Sequence, residues 1–166
     1  ATAPSVAGSY GFQWQMVRVG STNFGVVTPP KTITVGPQAN DAAFGPIVIP
    51  STVPAGRDFA VSLTVTNTGG TTWSTNDLFE LVSQNPLTNM VWGVGRIAVP
   101  ASVPPGQSFV FALTLTAPPT VGQYNCQWQM RQFGRGIFGT PSAGAVINVT
   151  AVGNAARFSR RSSRRT

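Results

Sequence analysis

Apolar side chains recur at every second position along three stretches of this chain. "DFAVSLTVTN" (58–67), "SFVFALTLTAP" (108–118) and "AVINVTAV" (145–152) alternate Val, Leu, Phe or Ile with small or hydroxylic residues. That period, with the enrichment in β-branched and aromatic types, predicts strands with one face on a core. "VPAG" (53–56) and "VPPG" (103–106) set Pro-Gly turns just ahead of two of these strands. "NTGGTTW" (67–73) predicts a hairpin-type turn at its Gly pair. No stretch carries a strong helical period. Short strands punctuated by turn signals predict an all-β chain folded as an antiparallel sandwich.

The pattern repeats at two scales. "IPSTVPAGRDFAVSLTVT" (49–66) aligns without gaps on "VPASVPPGQSFVFALTLT" (99–116), so half a domain echoes the other half, and two such units can face each other across a sandwich. A second repeat runs at an offset of 114, from Ala3-Pro4 on Ala117-Pro118 to Ile33 and Val35 on Ile147 and Val149. Within it Tyr10, Gln13, Trp14, Gln15, Met16, Gly20, Phe24 and Gly25 stand where Tyr124, Gln127, Trp128, Gln129, Met130, Gly134, Phe138 and Gly139 stand. The offset is close to one sandwich domain of about 100 residues. Residues 37–152 are therefore expected to form a complete domain, residues 1–36 the C-terminal strand pair of a preceding copy, and residues 153–166 a basic tail. A lone strand pair leaves apolar faces and unpaired backbone, so it is expected to be completed by sequence ahead of it or by strand addition from another chain.

The final pieces resemble a known family, the four-tryptophan (FW) immunoglobulin-like domain of selective-autophagy cargo receptors and of many bacterial proteins. The resemblance rests on Asn67, Gly69 and Trp73 in an N-x-G-x-x-x-W pattern, on "VPPGQSFVFALTLTAP", and on "GQYNCQWQMRQFGRGIFG" with Tyr124, Trp128, Gly134, Phe138 and Gly139. It implies an immunoglobulin-like sandwich in which these residues, and Tyr10, Trp14, Phe24 and Gly25 in the first copy, form the core and the fold motif. It also implies binding or structural work more than catalysis. Leu63 and its neighbours stand where the family often has a further Trp, and "TPSAGA" stands where another would follow the Phe-Gly pair. The receptors' peptide-binding surface is not carried over.

Composition narrows the function classes. Charged residues are 9% of the chain, far below the roughly 25% of ordinary domains. The net charge of +7 falls to +2 without Arg157, Arg160, Arg161, Arg164 and Arg165, so the folded part is nearly neutral and the tail is the candidate contact for an anionic partner. No apolar run approaches the roughly 20 residues of a membrane-spanning helix. With no His, one Cys and four carboxylates (Asp41, Asp58, Asp77, Glu80), the chain lacks the material for a Ser-His-Asp triad or a zinc site, and neither enzyme activity nor a cofactor is expected. Cys126 reads as a small buried hydrophobe.

Gln13, Gln15, Gln127 and Gln129 alternate with Trp and Met, which predicts a strand face of amides opposite the rings, a candidate interface. Trp92 in "NMVWGVG" is the tryptophan expected at the surface. The resulting expectation is a structural or adhesive module of an extracellular or cell-surface assembly, bacterial in character, built of tandem repeats that meet through strand edges as a shaft or filament. Two rivals are an FW module that binds peptide or glycan, and a capsid-like sandwich whose arginine tail holds nucleic acid.

Overall fold

A computed structural model describes residues 2–153, apart from Ser5, Ser21 and Pro37. All regular structure among these residues is β. The first four strands are β1 (Gly8–Phe12), β2 (Met16–Val17), β3 (Asn23–Phe24) and β4 (Lys31–Val35). Then come β5 (Ala42–Val48), β6 (Thr52–Pro54), β7 (Asp58–Asn67), β8 (Phe79–Ser83) and β9 (Arg96–Ala98). The chain closes with β10 (Ser108–Thr116), β11 (Gly122–Cys126), β12 (Trp128–Gln132), β13 (Gly136–Phe138) and β14 (Ala145–Thr150).

Residues 38–153 form an immunoglobulin-like sandwich. One sheet has the order β10-β7-β5 and a second the order β13-β12-β8-β9. A third, β11-β14-β6, joins the last strand of this segment to an early one, with β14 parallel to β6. The period-two pattern explains the packing directly. Val61, Leu63 and Val65 of β7, Phe111 and Leu115 of β10, Leu81 of β8, Trp128 and Met130 of β12, and Ile147 and Val149 of β14 are buried in one cluster. Each such side chain contributes roughly 1.5–3 kcal/mol by leaving water. β5 contains Gly45-Pro46, and its register with β7 shifts between Phe44 and Ile47. Proline cannot donate to a ladder, so it sits at an irregularity of an edge strand.

Two expectations change. The strands related by the offset of 50 do not face each other across the sandwich; β7 and β10 lie side by side, in register from Asp58↔Thr116 to Thr66↔Ser108. Antiparallel pairing lets two strands of equal pattern turn their apolar faces to the same side, and hydrogen bonds tie both ends of the ladder, Asp58 with Thr116 and Thr66 with Ser108, each at 2.8 Å. The Gly-Gly segment is also not a hairpin. It carries the chain from β7 to Trp73, which bridges Val103 through two backbone hydrogen bonds of 2.9 and 3.0 Å. Asn67 holds this loop from inside: its Nδ2 donates to Thr71 O and Val103 O, and its Oδ1 accepts from Gly69 N–H. A Cβ on Gly69 would lie 2.6 Å from Asp41 N, so the N-x-G-x-x-x-W spacing is a packing requirement.

Candidate interaction surfaces

The closing hairpin of the sandwich is built from β11 to β14. Tyr124 donates its hydroxyl to Thr120 O (3.0 Å) at the entry to β11. At the step into β12, Gln127 Nε2 donates to Ser142 O (2.9 Å), Trp128 N–H to Ser142 Oγ (2.9 Å), and Ser142 N–H to Trp128 O (2.7 Å). Gln129 Nε2 donates to Gly139 O (2.6 Å). The inner side of these strands carries Cys126, Trp128, Met130 and Ile147, all fully buried. Burial raises the Cys126 thiol above its ordinary value of 9.0, against a smaller lowering by the hydrogen bond from Trp128 Nε1. Phe138 packs on Trp73 and Phe79 (ring centroids 5.8 Å from each), and Tyr124 packs on Trp92 at 6.0 Å.

Residues 2–36 reproduce the register of this hairpin and most of its hydrogen bonds. β1 pairs with β4 from Gly8↔Val35 to Phe12↔Lys31, which is the β11–β14 register moved by 114 residues. Met16↔Phe24 repeats Met130↔Phe138. The hydrogen bonds Tyr10 Oη to Val6 O, Gln13 Nε2 to Thr28 O, Trp14 N to Thr28 Oγ1, Thr28 N to Trp14 O and Gln15 Nε2 to Gly25 O each have their counterpart above. The difference is cover. Trp14 is 60% exposed where Trp128 is buried, Met16 66% where Met130 is buried, and Phe24 stands half-exposed. These side chains were expected in a core; no second sheet lies over them among the described residues, and each forgoes roughly 1.5–3 kcal/mol of burial.

The amide face is not an open surface in the complete sandwich. Gln129 is buried and Gln127 half-buried, because the 139–143 segment folds over them and takes their amide protons. Gln13 and Gln15 are exposed but bonded in the same way. Trp92 is likewise not at the surface. It is 2% exposed, packs edge-on against Phe59 and Tyr124, and donates its Nε1–H to Asn125 O at 2.9 Å. A loop tryptophan is held inside here because its one polar atom finds a backbone carbonyl.

The outer face of β8, β9 and β12 presents a different surface. Arg131 pairs with Glu80 at its centre, with the Nε donating at 2.7 Å. The Arg131 guanidinium also lies 5.6 Å from the centre of the Phe133 ring. Two shallow grooves of about 330 and 260 Å³ flank the pair and share Arg96 and Phe133. Leu78, Met90 and Phe133 are more than half exposed around them. Arg96 has no ion pair among the described residues. Sequence reasoning missed this surface because β8 and β9 are short and interrupted; the available signal was "RQF", which puts Arg131 and Phe133 on one side of a strand. Its chemistry suits a polypeptide that offers an apolar side chain beside a carboxylate.

The carboxylates stand apart. Asp41 accepts from Thr68, Asp58 from Thr116 and Asp77 from Ser74, and no group of three metal-ligating side chains comes together among the described residues. No helix is long and apolar enough to cross a membrane among them. The tail arginines Arg157, Arg160, Arg161, Arg164 and Arg165 lie outside the described residues.

Residues 48–146 match the model of a family described as the Ig-like domain from next to BRCA1 gene. The matched span runs from the end of β5 into β14, and so takes in nearly the whole sandwich. No curated protein matches the chain.

Proposed function

We propose a structural role from one premise: the chain belongs to the family of the Ig-like domain from next to BRCA1 gene. Ig-like domains of this family are typically non-catalytic, and membership suggests a protein-interaction module. Within the family we assign the chain to the four-tryptophan type, on the strength of the Asn67–Trp73 loop and the buried set Trp73, Trp92 and Trp128. Its work is non-enzymatic: a repeat in a structural or adhesive assembly outside the cell, of a bacterial kind, in which sandwiches meet one another to form a shaft or filament. The charge-poor composition supports that setting, since charged side chains are what usually keep strand edges apart.

The observation that carries the reading is the outer face around Arg96 and Phe133. Exposed apolar side chains there surround a cation with no acidic partner among the described residues, on a domain that otherwise carries few charges. A neighbouring sandwich is the proposed occupant. Light scattering over a concentration series tests this. The intact chain is expected to show multi-chain mass, and the double variant Arg96→Glu, Phe133→Ser to weaken association by tenfold or more, about 1.4 kcal/mol. Single-chain mass at every concentration removes the assembly reading. Single-chain mass together with saturable binding to a peptide or glycan array would put the ligand-binding reading in its place.

A further inference from the structure

We propose that residues 2–36 are the closing hairpin of a second Ig-like sandwich, and that the surface they take is a first-half unit of the kind formed by residues 38–116, carried on the same polypeptide. The proposal stands whatever the Arg96 face binds.

The chemistry of the missing surface can be read from the complete copy. Tyr124 is covered by the Trp92 ring, whose Nε1–H ends on Asn125 O. The positions of Tyr124 and Asn125 are Tyr10 and Gly11 in the first hairpin, and a groove of about 390 Å³ lies open there between Tyr10, Phe12, Ile33 and Val35. The occupant therefore brings an indole that rests on Tyr10 and donates to Gly11 O. Phe138 is covered by Trp73 and Phe79. Phe24 calls for a matching aromatic pair. A second groove of about 320 Å³, bounded by Trp14, Met16, Val26 and Thr28, receives core side chains of the same unit.

Two differences separate that unit from the one in residues 38–116. Phe12 stands where Cys126 is, and Cys126 is fully buried in a filled core. A phenyl ring cannot enter that space without displacing its neighbours. Val17 stands where Arg131 pairs with Glu80, so a second copy of this chain would leave Glu80 half-buried without its cation. The intended surface has room opposite Phe12 and an uncharged residue opposite Val17. Residues 38–116 of a second copy have neither, and are already covered by their own hairpin. Carriage on the same polypeptide is supported by the link: Ala3-Pro4 repeats Ala117-Pro118, where residues 117–121 join β10 to β11 and Ala117 N–H is bonded to Arg57 O.

The offset allows a seamless test. A copy of residues 38–116 is placed ahead of Ala3 in the full chain, with Thr116 joined directly to Ala3, with and without Phe12→Cys and Val17→Arg. Hydrogen exchange followed by mass spectrometry reads peptides from 8–35 and from 122–150 separately. In the unextended chain, amides of β1 and β4 are expected to exchange about 100-fold faster than those of β11 and β14. In the matched graft they reach the protection of β11 and β14, and in the unmatched graft they fall short of it. If 8–35 stays unprotected in the matched graft while 122–150 keeps its protection, the hairpin is not a closing unit and the proposal fails. It also fails if 8–35 becomes protected in the unextended chain as concentration and mass rise, because the occupant is then a second copy.

Discussion

Gly139 and Gly25 occupy the same place in the two hairpins and have nearly the same backbone, with φ of 67° and 78°. Their surroundings differ. A Cβ on Gly139 would lie 2.5 Å from Ala42 O, whereas none of the described residues comes within 4 Å of one on Gly25. Gly139→Ala is expected to destabilise the sandwich by about 2–4 kcal/mol, strain and overlap together, in urea unfolding followed by tryptophan fluorescence. Gly25→Ala is expected to leave that transition within about 0.5 kcal/mol, since residues 2–36 hydrogen-bond among themselves. Cys126 gives a prediction in pH. Its folded-state pKa is raised, so between the ordinary thiol value and the raised one the unfolded chain has lost a proton that the folded chain keeps. Stability is then fully present below about 9 and declines as pH rises above it. Unfolding midpoints measured from pH 7 to 10.5 should fall more steeply for the native protein than for Cys126→Ala, and a thiol reagent should label Cys126 only on unfolding. Equal slopes, or rapid labelling of the folded protein, would contradict this.

At the level of elements, legibility followed pattern length. The bounds of β7 were plain in the sequence because ten residues alternate without a break, and β10 and β14 nearly so. β8 was not legible: Leu81, Val82 and Ser83 are consecutive and all buried, so both faces are covered at this end of the strand, while Glu80 alone lies on the open outer surface. A strand covered on both faces loses the period that identifies it. β9 is too short to carry any period. The same contrast has a kinetic side. β7 is bonded on both edges, by β10 and β5, and has the core beneath it. Among the described residues β1 and β4 have only each other. Isolated hairpins are marginal in water. Native-state exchange should therefore place Leu63 and Val65 among the slowest amides, opening only with global unfolding, while Tyr10 and Ile33 exchange by local opening and respond little to low denaturant. Similar denaturant dependence for both sets would mean that the hairpin is anchored to the sandwich.

For the whole molecule, the repeat of 114 residues makes the shared register of the two hairpins legible in the sequence, because backbone register depends on Gly, Tyr, Trp and Gln at fixed spacing and those types are preserved. What the sequence could not give was cover. Trp14 and Trp128 share the same neighbours in sequence, yet one ring is bare and the other sealed, since burial depends on strands far away in the chain. Trp92 misled for the converse reason: a turn-rich segment folds inward around it. The Arg96–Phe133 surface was invisible because it gathers residues from three separate strands. One further consequence concerns mechanical load. β6 and β14 run parallel, so the start of the one and the end of the other lie at opposite ends of their ladder. Tension applied across that pair slides the strands lengthwise and stretches their hydrogen bonds together. In the β1–β4 hairpin Gly8 sits opposite Val35 at the open end, and the same pull parts the bonds singly, like a zip. A row of such sandwiches under strain would hold at its closed units and give way first wherever a hairpin lacks its cover.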